Sequence, residues 1–331
     1  MVKATDIARF FRKQAKITVV GDLMLDKYIS GEVDRVSPEA PVPVVDVTNI
    51  KYVLGGAANV MSNLTGLGAQ VQGFGVAGDD AEGKLLRDEL FQRKVDTSGI
   101  VVDPSRPTTL KCRVIVGHHQ MVRYDIETRR EISDGSESKI VNDVKEAARI
   151  SDILVISDYN KGVMTPSLIR LISDIAHEYN LRTLVDLKTK NARSYVNIDY
   201  IKINLSNAQK LTGIDYFYDY ETDSEKMCHA LATIFKDNTI VLTTGKGGLS
   251  ILSEGTFTHV PALARDVFDV TGAGDVVTSV LSIALATGYD IEMACEISTI
   301  AASIKVGKIG TYSLTREELT NEINKLNRVS K

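Results

Sequence analysis

The stretch DVTGAGD, residues 269–275, places a glycine turn directly before an acidic residue. An apolar, helix-forming run follows, which predicts that Gly272, Ala273 and Gly274 lie at the start of a helix. Free backbone N–H groups and the helix dipole favour negative charge at such a position. Asp275 would repel a phosphate held there, unless it accepts the proton of a hydroxyl that attacks the phosphoryl group. The stretch therefore suggests phosphoryl transfer, with Asp275 as the base.

Three other interpretations compete for this turn. A dinucleotide-binding fingerprint requires a third glycine where the chain has Val277, and a strand–helix–strand unit where two helices follow. The Walker sequence G-x-x-x-x-G-K-[ST] is absent. The third alternative is purely structural: the side chain of Asp275 or Thr271 caps the helix and takes no part in a reaction. The turn alone supports this interpretation about as well as a functional one.

Composition limits the class of protein. The chain has 331 residues, of which 44% are hydrophobic and 25% charged, as in ordinary globular proteins. A net charge of -4 excludes a general nucleic-acid surface. Cys112, Cys228 and Cys295 are too scattered for a zinc site or a disulfide framework. The apolar runs are too short to cross a bilayer and no signal peptide is evident, so we expect a cytoplasmic protein without a membrane partner.

The order of elements predicts an α/β fold. Strands and helices alternate in the second half, which indicates a mostly parallel central sheet flanked by helices. We expect one domain over residues 1–331, with the last helices at roughly 273–288 and 290–306. Strand-rich segments within 28–52 and 99–125 are predicted to form a small β-sheet lid over the site.

Five ordered motifs then give the chain a family resemblance: DRVSPEAPVPVV, GGAANV, VISDYNKG, VFDVTGAGD and VGKIGT. They resemble the signatures of the ribokinase-like (PfkB) carbohydrate kinases, in particular the branch that acts on a heptose 7-phosphate, over about residues 16–328. The resemblance implies a ribokinase-like fold, ATP and Mg²⁺, and phosphorylation of the anomeric hydroxyl on the route to ADP-heptose for the lipopolysaccharide core. It assigns Asp275 as the base and residues 272–274 as the anion hole.

The resemblance also implies partners and domain content. Some relatives carry a nucleotidyltransferase domain with a histidine-rich motif, but no H-x-G-H stretch occurs here, so we expect no such domain. The lid leaves unpaired strand edges, which predicts a homodimer through the lid strands. A non-catalytic sugar-binding regulator and, more weakly, a dehydrogenase are the alternatives from other classes.

Sugar contacts are expected at two segments. The resemblance puts Gly55, Gly56 and Asn59 of GGAAN against the sugar, where a carboxamide suits polyol hydroxyls. Asp22 and Asp26 follow the first strand, at the end of a parallel sheet where ligands bind. A solvated loop charge is the alternative for Asp26.

The phosphate carried by the substrate needs cations. The basic candidates at strand ends and in the lid are Arg35, Lys111, Arg113, Arg123, Lys161 and Lys188. The segment DYNKG also places Asp158, together with Lys161, just past the carboxyl end of a strand, so Asp158 is a further candidate for the substrate site. A solvated surface charge is the alternative for each lone basic residue. We favour Lys161 and Arg123 over Lys111, while Arg35 could serve the lid of a neighbouring subunit.

The nucleotide is expected near the last strands. TTGKGG, residues 243–248, matches the family's ATP-binding loop and implies that Thr243, Gly245 and Gly248 approach the nucleotide. A β-hairpin turn is compatible with that role. VGKIGT, which includes Gly307, is expected beside the adenine.

Two metal positions follow from the resemblance. The family's N-x-x-E motif is NLSN here, so Asn204 is retained on the nucleotide side while Asn207 replaces the acid that helps to place Mg²⁺. Asparagine keeps an oxygen ligand but loses the charge, which predicts weaker metal binding. Asp269 corresponds to the aspartate of a monovalent cation site (K⁺), with an ordinary loop acid as the alternative.

Overall fold

The computed structural model describes residues 2–215, 219–236, 238–263, 267–308 and 312–329. Within these ranges the strands form two sheets, one of nine strands and one of four. Buried apolar side chains form two clusters, one on each face of the large sheet. None of the helices described has the length and apolar character needed to cross a membrane.

The elements are numbered in chain order. The strands of the described residues are β1 Lys16–Gly21, β2 Leu23–Val36, β3 Pro43–Gly56, β4 Gln70–Gly78, β5 Val95–Asp103, β6 Thr109–Val116, β7 His119–Ile126, β8 Ile153–Ser157, β9 Arg182–Asp186, β10 Tyr200–Asn204, β11 Thr239–Thr243, β12 Leu249–Ser253 and β13 Thr256–Val260. The α-helices are α1 Ala4–Phe10, α2 Ala57–Gly66, α3 Ala81–Gln92, α4 Asp134–Ala148, α5 Pro166–Glu178, α6 Leu205–Thr212, α7 Tyr220–Phe235, α8 Ala273–Ala286, α9 Ile291–Val306 and α10 Arg316–Val329.

The large sheet has the order β13-β12-β11-β10-β9-β8-β1-β4-β5 in the described residues. All pairs from β5 to β11 are parallel, and β12 and β13 add antiparallel strands at one edge. Its central strands are short apolar runs such as ILVIS, because helices cover both faces. The prediction of a mostly parallel, helix-flanked sheet is confirmed. The carboxyl ends of its parallel strands therefore share one edge, where such sheets bind ligands.

The small sheet has the order β3-β2-β6-β7, with β2 and β6 parallel and the other pairs antiparallel. Strands β2 and β3 cover the predicted segment 28–52 and extend beyond both of its ends. The predicted segment 99–125 was wrong at its start, because residues 99–103 belong to β5 of the large sheet. Ile100 is buried there against the core, so this apolar run pairs with β4 rather than entering the lid.

Helix α8 begins immediately after the glycine turn, as predicted, and α9 packs against it. Gly272 precedes the helix with φ of 79°, a left-handed conformation that favours glycine because it lacks a Cβ. Helix α8 is buried over most of its length, from Val276 to Leu285. The turn is therefore held by the core rather than by an exposed loop.

Candidate active site

The glycine turn presents free backbone donors at the start of α8. The N–H groups of Gly274 and Asp275 have no hydrogen-bond acceptor within the described residues. Ala273 differs, because its N–H donates to the carbonyl oxygen of Val270 at 3.1 Å. Of the three predicted anion-hole residues, Gly274 therefore offers a free amide, Gly272 supplies the turn conformation, and Ala273 is already bonded.

The Asp275 carboxylate is held by two side chains. Its Oδ1 accepts a hydrogen bond from the Tyr159 hydroxyl at 2.5 Å, and its Oδ2 accepts one from Asn59 Nδ2 at 2.6 Å. Neither bond is a helix cap, so the interpretation of Asp275 as a cap is wrong. Burial raises the pKa of Asp275, and the two hydrogen bonds lower it in opposition. A carboxylate with an elevated pKa beside free amides suits a general base.

A buried ion pair fixes the other side of the turn. Lys202 Nζ lies 2.8 Å from Asp186 Oδ2 and donates to the Gly274 carbonyl oxygen at 3.1 Å. The Thr278 hydroxyl donates to the same carbonyl at 3.0 Å. Because this carbonyl is anchored, the next peptide N–H, that of Asp275, is anchored with it. Sequence reasoning missed Lys202, although a lysine inside the apolar strand YIKIN was the available signal.

Two cationic side chains lie over the ring of Tyr159. Lys188 Nζ lies 4.5 Å from the centroid of the Tyr159 ring, and Lys111 Nζ lies 5.4 Å from it. Lys111 belongs to β6 of the lid, and Lys188 follows β9 of the large sheet. Neither ammonium group forms an ion pair within the residues that the structure describes. Burial lowers the pKa of Lys111, as expected for a cation drawn out of water.

The cations favoured from sequence are already paired. Lys161 Nζ forms an ion pair with Glu127, and Arg123 binds Asp125 through two bonds of 2.9 and 2.7 Å. The sequence does not reveal which cation has a carboxylate neighbour, and in the described residues Lys161 and Arg123 have one whereas Lys111 has none. A role for Lys161 and Arg123 in phosphate binding stays a prediction.

Arg35 does not join the cluster around Asp275. Its side chain is 68% exposed near the far end of β2, where it lies 4.0 Å from Asp46. Nothing in a single chain brings it to the site, so its proposed role in a neighbouring subunit stays a prediction.

Asp22 has a different role from the one predicted. It is fully buried, and its carboxylate accepts three backbone hydrogen bonds from Tyr159, Lys161 and Val163 at 2.7, 3.0 and 3.1 Å. These donors satisfy the carboxylate, although burial still raises the pKa of Asp22. Asp22 therefore positions the loop that carries Tyr159 and is not available to a sugar hydroxyl.

Asp158 is also a structural acid. Its carboxylate accepts bonds from the Tyr195 hydroxyl at 2.9 Å and the Asn160 N–H at 2.7 Å. Burial, and then the charge of Asp22, raise the pKa of Asp158 to about 7. Because only 1% of its surface is exposed, Asp158 supports the loop that follows β8 and is not placed to contact a substrate.

Asp26, Arg113 and Gly55 lie together, although the sequence did not predict that Asp26 and Arg113 pair with each other. Arg113 Nη1 lies 2.5 Å from Asp26 Oδ1. A Cβ on Gly55 would lie 2.6 Å from Asp26 Oδ2, so only glycine allows this approach. Gly56, at the start of α2, would place a Cβ 2.7 Å from the Asp22 carbonyl oxygen. Close packing therefore explains why both positions are glycine, and direct contact of either residue with the sugar stays a prediction.

Two of the predicted nucleotide residues lie at the same edge of the large sheet. Asn204 and Thr243 are register partners at the carboxyl ends of β10 and β11. Asn204 Oδ1 caps α6 by accepting the Asn207 N–H at 2.9 Å, and Asn207 Nδ2 contacts the Leu187 carbonyl oxygen at 3.4 Å. A capping role for Asn204 was not foreseen.

The TTGKGG segment forms the turn between the antiparallel strands β11 and β12, which is the alternative that the sequence left compatible with an ATP-binding loop. Gly245 and Gly248 have φ of 63° and 103°, which glycine adopts readily. Gly307 directly follows α9, whereas residues 309–311 of VGKIGT lie outside the described residues. Asp269 Oδ1 accepts the Thr271 N–H at 2.8 Å and so shapes the loop before the turn.

Free amides beside a buried carboxylate, at the carboxyl edge of a parallel sheet next to a small β lid, define a phosphotransferase site. A family model described as pfkB family carbohydrate kinase matches residues 14–318. The chain belongs to this family and is a carbohydrate kinase.

Sequence relatives point in the same direction. The chain is 39% identical over 305 residues to the bifunctional protein HldE of Geobacter metallireducens, covering 91% of this chain and 61% of that protein. It is 38% identical over 315 residues to the bifunctional protein HldE of Helicobacter hepaticus, covering 94% and 64%. The chain therefore spans about three-fifths of the length of these relatives.

Solved structures confirm the ribokinase-like fold. Escherichia coli phosphofructokinase-2 in complex with potassium matches with a TM-score of 0.79 and 18% identity, covering 96% of this chain and 100% of that one. Arabidopsis thaliana ribokinase complexed with ribose and ATP matches with a TM-score of 0.74 and 19% identity, covering 94% and 99%. At these identities the likeness concerns the fold alone.

Proposed function

We propose that the chain transfers the γ-phosphoryl group of ATP to the anomeric hydroxyl of D-glycero-D-manno-heptose 7-phosphate and forms the 1,7-bisphosphate. The resemblance of its motifs to the heptose-phosphate branch and the relatives named HldE support this substrate. The observation that carries the reaction type is Asp275 beside the free amides of Gly274 and its own backbone.

The proposed reaction uses Asp275 as the base. The sugar oxygen forms a bond to the γ-phosphorus while the bond from that phosphorus to the β–γ bridging oxygen breaks, and ADP leaves. The proton of the hydroxyl goes to Asp275, which Tyr159 and Asn59 hold in one orientation. The amides of Gly274 and Asp275 stabilise the phosphoryl oxygens as charge develops.

The 7-phosphate of the substrate is proposed to bind Lys111 and Lys188. Both ammonium groups lie over the ring of Tyr159, and the hydroxyl of Tyr159 donates a hydrogen bond to the proposed base, Asp275. A phosphate bound by the two lysines would therefore belong to a substrate that also reaches Asp275. Their lack of an ion pair within the described residues leaves their charge available to a ligand. Lysine acts on phosphate as a mobile point charge.

Mg²⁺ is proposed to bind chiefly through the ATP phosphates, with the side-chain oxygen of Asn207 near the carboxyl end of β10. Mg²⁺ commonly takes few protein ligands together with substrate phosphates, and it neutralises their charge during transfer. Asn207 and Asn204 are oxygen donors of the hard type that the ion prefers. A role for Thr243, Gly245, Gly248 and Gly307 in ATP binding stays a prediction.

A homodimer through the lid is also proposed. Strands β3 and β7 are the edges of the small sheet, and each exposes apolar side chains, including Val47 and Ile50 on β3 and Met121 and Val122 on β7. Unpaired edges with apolar residues favour pairing with another chain. Light scattering after size exclusion should give twice the chain mass.

The experiment that tests the substrate is an ADP-formation assay across heptose 7-phosphate, the unphosphorylated heptose, ribose and fructose 6-phosphate. We expect kcat/KM for heptose 7-phosphate to exceed that for the unphosphorylated heptose by about 100-fold or more. Equal use of the two heptoses would contradict the proposal. A preference for fructose 6-phosphate would identify another sugar-phosphate kinase of the same family.

A Lys111→Met variant sharpens this assay. Because the lysine is proposed to bind the substrate's phosphate, the KM for heptose 7-phosphate should rise by about tenfold while the KM for ATP stays unchanged. Lys84→Met, which removes a 73% exposed lysine on α3, is the matched control and should leave both values unchanged. An equal rise in both KM values would contradict the assignment.

A further inference from the structure

Lys305 is a charged residue with no access to solvent. It lies in the last turn of α9, and its relative exposure is 0%. Its Nζ donates to the carbonyl oxygens of Asp269 at 3.3 Å and Lys308 at 3.4 Å. Burial lowers the pKa of Lys305, while the charges of Asp269 and Asp275 raise it in opposition. A buried ammonium group is costly unless it is paired and hydrogen-bonded, so we expect these carbonyl contacts to serve a purpose in the fold or the site.

The two carbonyls that Lys305 contacts belong to different segments. Asp269 lies in the loop that leads into the glycine turn, and Lys308 follows the end of α9. The backbone repeats this link, because the N–H groups of Phe268 and Asp269 both donate to the Val306 carbonyl oxygen, at 2.8 and 3.2 Å. Lys305 therefore ties the segment before the anion site to the end of a buried helix.

A single positive charge among backbone carbonyl oxygens is also what a bound monovalent cation provides. The resemblance predicted such a cation at Asp269, but the carbonyl of Asp269 already faces the ammonium group of Lys305. An added cation near the same carbonyl would be repelled by that ammonium. The residues present therefore do not fit a free monovalent cation at this place.

We propose that Lys305 is a built-in monovalent cation, which holds the loop before Gly272–Asp275 in its active arrangement and removes the need for K⁺. Lys305 is a positioning residue, since it acts through the Asp269 carbonyl and does not touch the reacting atoms. It has a counterpart on the other side of the turn, where Lys202 holds the Gly274 carbonyl. Two internal ammonium groups thus anchor the chain before and within the anion site.

The proposal rests on the proposed kinase function only where activity is measured. Thermal unfolding is a second readout that is independent of that function. Turnover and the midpoint of thermal unfolding are measured with K⁺, Na⁺ or tetramethylammonium as the sole monovalent cation at constant ionic strength. For the unaltered chain we expect both to be the same in all three salts. Activation by K⁺ over tetramethylammonium, or a K⁺-specific rise in the midpoint, would overturn the proposal.

The variant Lys305→Met removes the charge and keeps an apolar chain of similar length. Turnover should fall by about 10–100-fold because the anion site is no longer held in place. In Lys305→Ala, which also leaves space among the carbonyl oxygens, K⁺ should restore part of the turnover and raise the unfolding midpoint, because a ligand that binds only the folded state stabilises it. The matched control Lys84→Met should respond to no cation. Unchanged turnover of Lys305→Met would overturn the positioning role. Should Lys305→Met fail to fold, the salt series on the unaltered chain still decides whether K⁺ is required.

Discussion

The Tyr159 hydroxyl lies 2.5 Å from Asp275 Oδ1 and donates a hydrogen bond to it. This contact joins two parts of the site that are remote in sequence. Tyr159 belongs to the loop after β8, which Asp22 anchors through three backbone N–H groups. Asp275 belongs to the glycine turn, which Lys202 anchors. The anchored loop after β8 thus orients the proposed base, while the glycine turn supplies the amides beside it.

Tyr159→Phe should change the pH dependence of turnover. The Tyr159 hydrogen bond lowers the pKa of Asp275, so removing the hydroxyl should raise that pKa. A base must be deprotonated to act, and the acid limb of the kcat/KM profile should therefore move to higher pH. We expect a loss of about tenfold at neutral pH that shrinks as the pH rises. A uniform loss at every pH would instead indicate that Tyr159 only packs.

Asp158→Asn should alter how stability depends on pH. The pKa of Asp158 is raised from 3.8 to about 7 in the folded chain, so between these values the folded state holds a proton that the unfolded state has lost. Stability from this group is therefore present at low pH and is lost as pH rises toward 7. The slope is at most about 1.4 kcal/mol per pH unit.

Denaturant unfolding at pH 5 and pH 8 measures the effect. The asparagine cannot titrate, so the free energy of unfolding of Asp158→Asn should gain on that of the unaltered chain as pH rises. An identical difference at both pH values would mean that Asp158 titrates in its ordinary range.

Asn207→Glu should lower the Mg²⁺ concentration needed for half-maximal turnover by about tenfold, because it adds a carboxylate where the metal is proposed to bind. Asn207→Gln is the control, since it has the length of glutamate without the charge and should leave the Mg²⁺ requirement close to that of the unaltered chain. If both variants behave alike, the metal is held elsewhere.

The sequence was sufficient for the parts of the site that depend on local structure. A glycine turn before an apolar helix predicted where Asp275 and Gly274 would lie, and the parallel sheet followed from the alternation of elements. Asn59 lies beside Asp275 and donates a hydrogen bond to it, while its predicted contact with the sugar stays a prediction. The end of α8 was misjudged by two residues and the start of the second lid segment by ten, because apolar runs alone do not fix a boundary.

Side-chain contacts between residues that are remote in sequence could not be predicted in this way. Asp22 and Asp158 look like ligand-binding acids at strand ends, but their carboxylates are satisfied by loop groups that only folding brings near. Lys111 and Lys161 look alike in sequence, and only the position of Glu127 separates a paired cation from an available one. Lys202 and Lys305 did carry a signal, since each is a lysine within an apolar element.

The central claim is that Asp275 removes the proton while the amides beside it hold the transferred phosphoryl group. Asp275→Asn tests it most directly, because the amide keeps the shape of the carboxylate and cannot accept the proton. Calorimetry should find ATP and sugar-phosphate affinities close to those of the unaltered chain. Single-turnover ADP formation should fall by about 100–10,000-fold. Turnover within a few-fold of the unaltered chain, with binding intact, would contradict the account.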